Sequence, residues 1–321
     1  MNTKRILGVG LAAVAVAWGG GAAGQIGGYE IDFDTIAAVG QGVFQALAPE
    51  GVQEEYEVAS GADMKAAVQG LMGAFAGESM AALAAQRENA KSLLGMMKAF
   101  PPLAGQAEWL ENHLDFLEVA SVLNGLEMAE KAKPATGKVT VGPGTAAAKG
   151  KERALATKMF QTKVSSKPVP KGAAAWKDVA KKAFREEGVP EALVWQAEVE
   201  SAWNPSARSP AGAVGLYQFM KGTARENGLK TEPEDERLDG EKSARAAARY
   251  LKKLHGRFGD WALALAGYNC GPARVAKLLK ECGATDFDGI SAKLPTETRL
   301  YVPKIDAVMQ AREGVGLADL K

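Results

Sequence analysis

The chain has 321 residues, 47% of them hydrophobic and 24% charged, with a formal net charge of +1. It is long for one small domain and can bury a sizeable core, and its bulk charge gives no reason to expect a nucleic-acid partner. Ala, Leu, Glu, Lys and Arg outweigh the β-branched residues, so a mainly α fold is expected.

In chain order, residues 1–24 come first: Lys4 and Arg5, an apolar run from Ile6 to Trp18, then small residues to Gly24. That order is the pattern of a cleaved secretory signal, and thirteen apolar residues fall short of the ~20 that span a bilayer as a helix. The mature protein is therefore expected to be exported, and soluble or loosely peripheral. Residues 25–130 hold 4 Lys and Arg against 16 Asp and Glu, with helical spacing in patches broken at Pro101 and Pro102. They read as an acidic helical region of unassigned role. Residues 131–172 reverse the balance, with 10 basic residues against 1 acidic, and are rich in Pro, Gly, Ala, Ser and Thr. This stretch reads as a flexible basic linker in which KERALATKMFQ alone suggests a short docking helix. Such a strap can hold the acidic region against the C-terminal half or make electrostatic contact with an anionic envelope surface.

Helical signals return at Ala173 and persist to about Gln310, so residues 173–313 are expected to form a helical domain, with 314–321 as a tail. Pro190 suits a first helical position, after which Leu193, Ala197 and Glu200 recur on one stripe. Glu200 thus points where the apolar residues point. Glu198 is about 200° of rotation away and reads as a solvated charge. Pro205 ends the helix, so Glu200 faces whatever the next loop builds. An inward carboxylate can be structural, paired with an arginine such as Arg208 or Arg299. Its company suggests more: NPSARSPAGAVG supplies small residues and Ser209, LYQFM supplies Gln218 and Met220, and GYNCGP supplies Tyr268 and Asn269. Carboxylate, hydroxyl, amides and aromatic rings converging on a groove suit an oligosaccharide.

Cys270 and Cys282 bracket a predicted helix that begins at Pro272 and stops at Gly283, which would hold their backbones roughly 15 Å apart, beyond disulfide reach. His113 and His255 have no metal-ligand pattern beside them, and no metal or cofactor is expected. Trp176, Trp195 and Trp261 read as core residues rather than sugar platforms.

Three blocks of the C-terminal half also resemble a known family. VESAWNPSARSPAGAVGLYQFMKGTARENGL resembles the first signature of lytic transglycosylases with the goose-type lysozyme-like fold, and DERLDGEKSARAAARYLKKLHGRFGDWALALAGYNCGPARV resembles their second. LPTETRLYVPKI is similar to the closing block of the membrane-bound transglycosylase D type. Gly267 and Cys270 stand where that family commonly has alanine, and Ala273 where it often has glycine. The resemblance implies a lysozyme-like catalytic domain with Glu200 as catalytic acid and Ser209 as the hydroxyl that holds or complements it. Gln218, Met220, Tyr268, Asn269 and Tyr301 would line the sugar sites, with Glu297 at their edge. Glu297 can instead be read as an ion-pair partner of Arg299 or Lys304.

The implied reaction cuts the MurNAc–GlcNAc β-1,4 bond of peptidoglycan glycan strands without water. Standard glycosidases need two flanking carboxylates, whereas only Glu200 is placed by both helical phase and motif. The resembling family draws the missing assistance from the substrate's own N-acetyl oxygen and leaves a 1,6-anhydromuramoyl end, which makes it a carbon–oxygen lyase. A hydrolytic muramidase and a noncatalytic peptidoglycan-binding protein are the alternatives.

Overall fold

The computed structural model describes residues 4–6, 24–26, 29–31, 33–47, 50, 56–99, 104–131 and 146–320. The expected signal segment lies outside the described residues except for Lys4–Ile6 and Gly24, as do residues 132–145 of the strap. The fold is mainly helical. Its strands are three residues each: Lys4–Ile6 pairs in parallel with Tyr56–Val58, and Gly24–Ile26 antiparallel with Tyr29–Ile31.

Helices α1 (Phe33–Leu47), α2 (Gly61–Ala76), α3 (Met80–Ala85), α4 (Arg87–Ala99) and α5 (Ala104–Lys131) make up the N-terminal region. Ser60 starts α2 through a capping box with Asp63, which satisfies two otherwise orphaned donors of the first turn. Met64, Val68, Leu71 and Phe75 then recur at helical spacing on its buried face.

The strap departs from the linker expectation. Ala146–Ser165 is a 20-residue helix, α6, that buries Ala156, Phe160 and Val164 at intervals of four and packs along the C-terminal helix. That stripe of three apolar positions docks the helix, which at 20 residues is longer than the eleven the sequence singles out. Some of its charge is used inside the fold. Arg153 grips Asp288 through two hydrogen bonds of 2.7 and 3.0 Å, Lys163 pairs with Glu118 of α5, and Glu152 accepts a two-pronged contact from Arg299.

The C-terminal half runs through α7 (Ala173–Glu187), a 3-10 turn (Glu191–Trp195), α8 (Gln196–Ser201), α9 (Lys221–Glu226), α10 (Gly240–Phe258), α11 (Trp261–Cys270), α12 (Pro272–Cys282), α13 (Phe287–Ile290) and α14 (Thr296–Glu313). Asp239 and Asp260 cap α10 and α11 by accepting from Lys242 N and Leu263 N. Pro272 opens α12, and Gly283, in the left-handed conformation, closes it. Cys270 and Cys282 at its two ends are free and half-buried. Trp195 and Trp261 lie in the core, Trp176 packs against it, and Trp203 is fully buried.

One continuous apolar cluster runs from Ile36 to Leu317, so the N-terminal region and the C-terminal half share a core. Polar clamps reinforce the join at α14. Thr296 donates its backbone N–H to Gly77 O (2.7 Å) and its hydroxyl to Ala74 O (2.6 Å). Two turns on, Lys304 donates to Asp115 Oδ1 (2.9 Å) and Asn112 O (2.7 Å) and sits 4.5 Å from the Phe116 ring centre. His113, stacked between Trp109 and Phe116, is held neutral: burial first, then the Lys304 charge, lowers its pKa to about 3.

Candidate active site

Glu200 lies in the last turn of α8, whose C-cap Ala202 turns left-handed (φ 49°), followed by Trp203 at φ 64°. Gln218, farther along the loop, is a third non-glycine residue at positive φ (46°). Such conformations cost about 1 kcal/mol or more each, so the surrounding structure has to over-determine them. Here it does. Ser201 Oγ donates to Leu216 O (2.8 Å), Tyr217 OH to Val194 O (3.2 Å), and Tyr268 OH to Tyr217 O (2.8 Å). Arg237, 2% exposed, donates to Phe219 O (2.8 Å) and Gly212 O (3.3 Å) while Asp235 neutralises it. Gly215, at φ 89°, is required because a Cβ there would run into the Arg237 carbonyl.

Against this braced loop stands the Glu200 carboxyl. Tyr301 of α14 donates its hydroxyl to Glu200 Oε1, and Gln196 Nε2 reaches both the Tyr301 oxygen (2.8 Å) and Glu200 Oε1 (3.4 Å). Burial dominates the electrostatics and pushes the Glu200 pKa up from 4.5 to about 8. The Tyr301 and Gln196 donors and the Lys304 charge pull it down, and the nearby Glu297 carboxyl pushes it up. Glu200 is nonetheless not sealed in, since part of its surface stays open to solvent. Burial therefore holds it as a carboxylic acid near neutral pH.

Glu297 forms the second polar centre. It accepts from Asn269 Nδ2 (3.1 Å), and Asn269 Oδ1 accepts from Thr298 Oγ1 (2.6 Å). Burial raises its pKa, and the Asn269 donor lowers it. The ion-pair reading of Glu297 does not hold, because Arg299 is committed to Glu152 and Lys304 to Asp115. The same pairing removes Arg299 as a structural partner for Glu200.

Two expectations need correction. Ser209 makes no hydrogen bond to Glu200: its Oγ accepts from Ala213 N (3.0 Å) and its N–H donates to Ala213 O (2.9 Å), so it shapes the loop turn. The hydroxyl on Glu200 belongs to Tyr301. Glu198 is not solvated either, for Arg312 grips it with bonds of 2.8 and 3.1 Å and the two side chains are only 11% and 8% exposed. Helical phase does turn it away from Glu200, but α14 covers that face too.

Gln218 donates to Ala207 O and Gly215 O, bracing the loop, and Met220 is exposed at the start of α9. Tyr268 packs against Phe219 and Tyr250, and burial first, then the nearby Glu200 carboxyl, holds its phenol neutral by raising its pKa well above the ordinary value. Gly267 has a packing reason, since a Cβ there would press on Phe258 (3.1 Å) and Leu254 (3.3 Å). Gln196 and Arg237 were not among the candidate residues. A Gln four residues before Glu200 shares its face, which is the one signal that points to Gln196. Among the described residues, no group of three or more His, Cys, Asp or Glu is placed to hold a metal ion.

Residues 178–290 match the family described as the transglycosylase SLT domain. The match lies within the C-terminal half. Glu200, the loop and Asn269 fall inside it, whereas Glu297 and Tyr301 lie just beyond its matched end. The chain is 42% identical over 130 residues to the membrane-bound lytic murein transglycosylase D of Escherichia coli K12, covering 39% of this chain and 28% of that one. It is 37% identical over 117 residues to the soluble lytic murein transglycosylase of Salmonella typhimurium, covering 34% and 18%. The likeness thus spans less than a third of either relative. The crystal structure of the 70 kDa soluble lytic transglycosylase from Escherichia coli aligns over 90% of this chain and 63% of its own, at 17% identity and a TM-score of 0.37.

Proposed function

We propose that the protein is a peptidoglycan lytic transglycosylase that cuts the MurNAc–GlcNAc β-1,4 bond, with Glu200 as the single acid–base residue. The observation that carries the reading is a carboxyl kept protonated to about pH 8 by burial and oriented by Tyr301, on a residue that keeps some solvent exposure, within the stretch that matches the SLT domain. A group in that state can give its proton to a departing glycosidic oxygen at neutral pH. Once ionised, it can take the proton of the sugar's own C6 hydroxyl, whose oxygen then closes on C1 to leave a 1,6-anhydromuramoyl end. The positive charge that develops at C1 would be met by the substrate's N-acetyl oxygen. The condition of Glu297 favours this route over hydrolysis. With its pKa also raised by burial and its oxygen engaged by Asn269, it is poorly suited to act as a second ionised carboxylate that attacks C1 or activates water.

An envelope location is part of the proposal. Among the described residues no helix is long and apolar enough to cross a membrane.

Digestion of purified peptidoglycan by the full chain tests the reading. The released muropeptides are expected to lack borohydride-reducible ends and to weigh one water less than hydrolysis products. Reducible ends as the main product would replace the proposal with a muramidase, and binding without cleavage would replace it with a noncatalytic wall-binding protein.

A further inference from the structure

Gln196 is fully buried, and its amide is unevenly satisfied. Nε2 serves Tyr301 and Glu200, while Oε1 is buried with no protein partner. An orphaned buried carbonyl is destabilising, and a leucine or methionine of similar volume would occupy this interior site without leaving one. Packing alone therefore argues against an amide here. Its contacts argue for one, because it lies within hydrogen-bond reach of both members of the Tyr301–Glu200 pair, and among the described residues no other side chain bonds to both.

A carboxylamide has a property that no apolar side chain shares. In the observed orientation its N–H supports a Tyr301 hydroxyl that donates to Glu200, the arrangement suited to the carboxylate. A half-turn of the terminal amide brings Oε1 to the same two places, 2.8 Å from the Tyr301 oxygen and 3.4 Å from Glu200 Oε1. There it is an acceptor for a proton on either group, the arrangement suited to the carboxylic acid. The unpartnered oxygen leaves the amide without a second anchor to oppose that turn.

We propose that Gln196 is a positioning residue that holds Tyr301 and Glu200 in register through both protonation states of the acid–base cycle. The assignment rests on the reading of Glu200 as proton donor. It concerns a residue that never meets substrate, acts only through its two neighbours, and is maintained at a cost in stability.

The test compares the full-length parent with Gln196→Leu and Gln196→Met. Three quantities are read: thermal unfolding, the pH profile of kcat and KM on peptidoglycan, and the titration of the Glu200 carboxyl by NMR of carbon-13 glutamate. The Glu200 signal is assigned by its loss in Glu200→Gln. The other groups that act on Glu200 are Tyr301, Glu297, Lys304 and Tyr268, and all are unchanged in both variants. Both variants are expected to unfold at or above the parent's temperature, to lose about tenfold or more in kcat with KM within about twofold, and to shift the Glu200 titration upward. The upward sign follows from deleting a donor that favours the carboxylate. An unchanged Glu200 titration and kcat would overturn the proposal, and so would loss of folding in both variants, since the amide would then be structural. If the parent cleaves no peptidoglycan, the enzymatic reading fails by itself. The NMR titration still decides the role of Gln196, an upward shift supporting it and no shift refuting it.

Discussion

Replacing Glu200 by Gln should stabilise the folded chain at alkaline pH. In the unfolded chain the Glu200 carboxyl ionises near 4.5, and in the folded chain near 8. Between those values the folded state holds a proton that the unfolded state has lost, so stability declines as pH rises through the window. It is full below about pH 4.5 and has lost the whole increment above about pH 8. A displacement of roughly 3.5 units at 1.36 kcal/mol each gives a ceiling of about 5 kcal/mol. Gln keeps the shape, and its amide oxygen can still accept the Tyr301 hydroxyl, but it has no charge to desolvate. Urea unfolding of parent and Glu200→Gln at intervals from pH 4.5 to 9 reads the effect as a difference. That cancels the same-signed contribution of Glu297, whose pKa is also raised. The variant's advantage should grow from near zero at the acid end to several kcal/mol at the alkaline end. Parallel curves across the window would refute the argument that burial, rather than its hydrogen bonds, sets the state of Glu200.

Further predictions concern function, the second glutamate, the clamp and the strap. Glu200→Gln should cut turnover by about 10²–10⁴-fold with glycan binding retained in a sedimentation assay, and parent activity should decline above about pH 8 as the acid ionises. Glu198→Gln should leave kcat intact yet cost about 1–3 kcal/mol in urea unfolding. It weakens a nearly buried pair, but Arg312 keeps the carbonyls of Lys167 and Pro168 as partners. Asp115→Ala should cost about 3–5 kcal/mol by stranding the Lys304 cation, and the double change Asp115→Leu with Lys304→Met should recover much of it in a double-mutant cycle. Exposed Lys151, Lys158, Lys167 and Lys171 should draw the protein onto anionic vesicles at low salt and release it at high salt. Changing those four to Gln should abolish vesicle binding without affecting cleavage of soluble glycan fragments.

The features legible in the residues alone are local. The helix over Pro272–Cys282 is readable because a proline opens it and a glycine closes it, and the dominance of helix follows from composition. The inward phase of Glu200 is readable too, although the stripe that points to it is built from a 3-10 turn followed by six α-helical residues rather than one regular helix. Partner identity was decided only by the tertiary structure. Tyr301 stands 101 residues beyond Glu200, Asp115 stands 189 before Lys304, and Arg312 stands 114 after Glu198. Periodicity says which face a side chain occupies, but what covers that face depends on how distant helices pack. For that reason Glu198 reads as solvated until α14 lies over it, and the hydroxyl on Glu200 reads as Ser209 until Tyr301 arrives. The strap illustrates the same limit. Its composition suits a linker, and Ala156, Phe160 and Val164 become a buried stripe only because distant helices cover them, α14 along its length and α5 through Phe116 against Phe160.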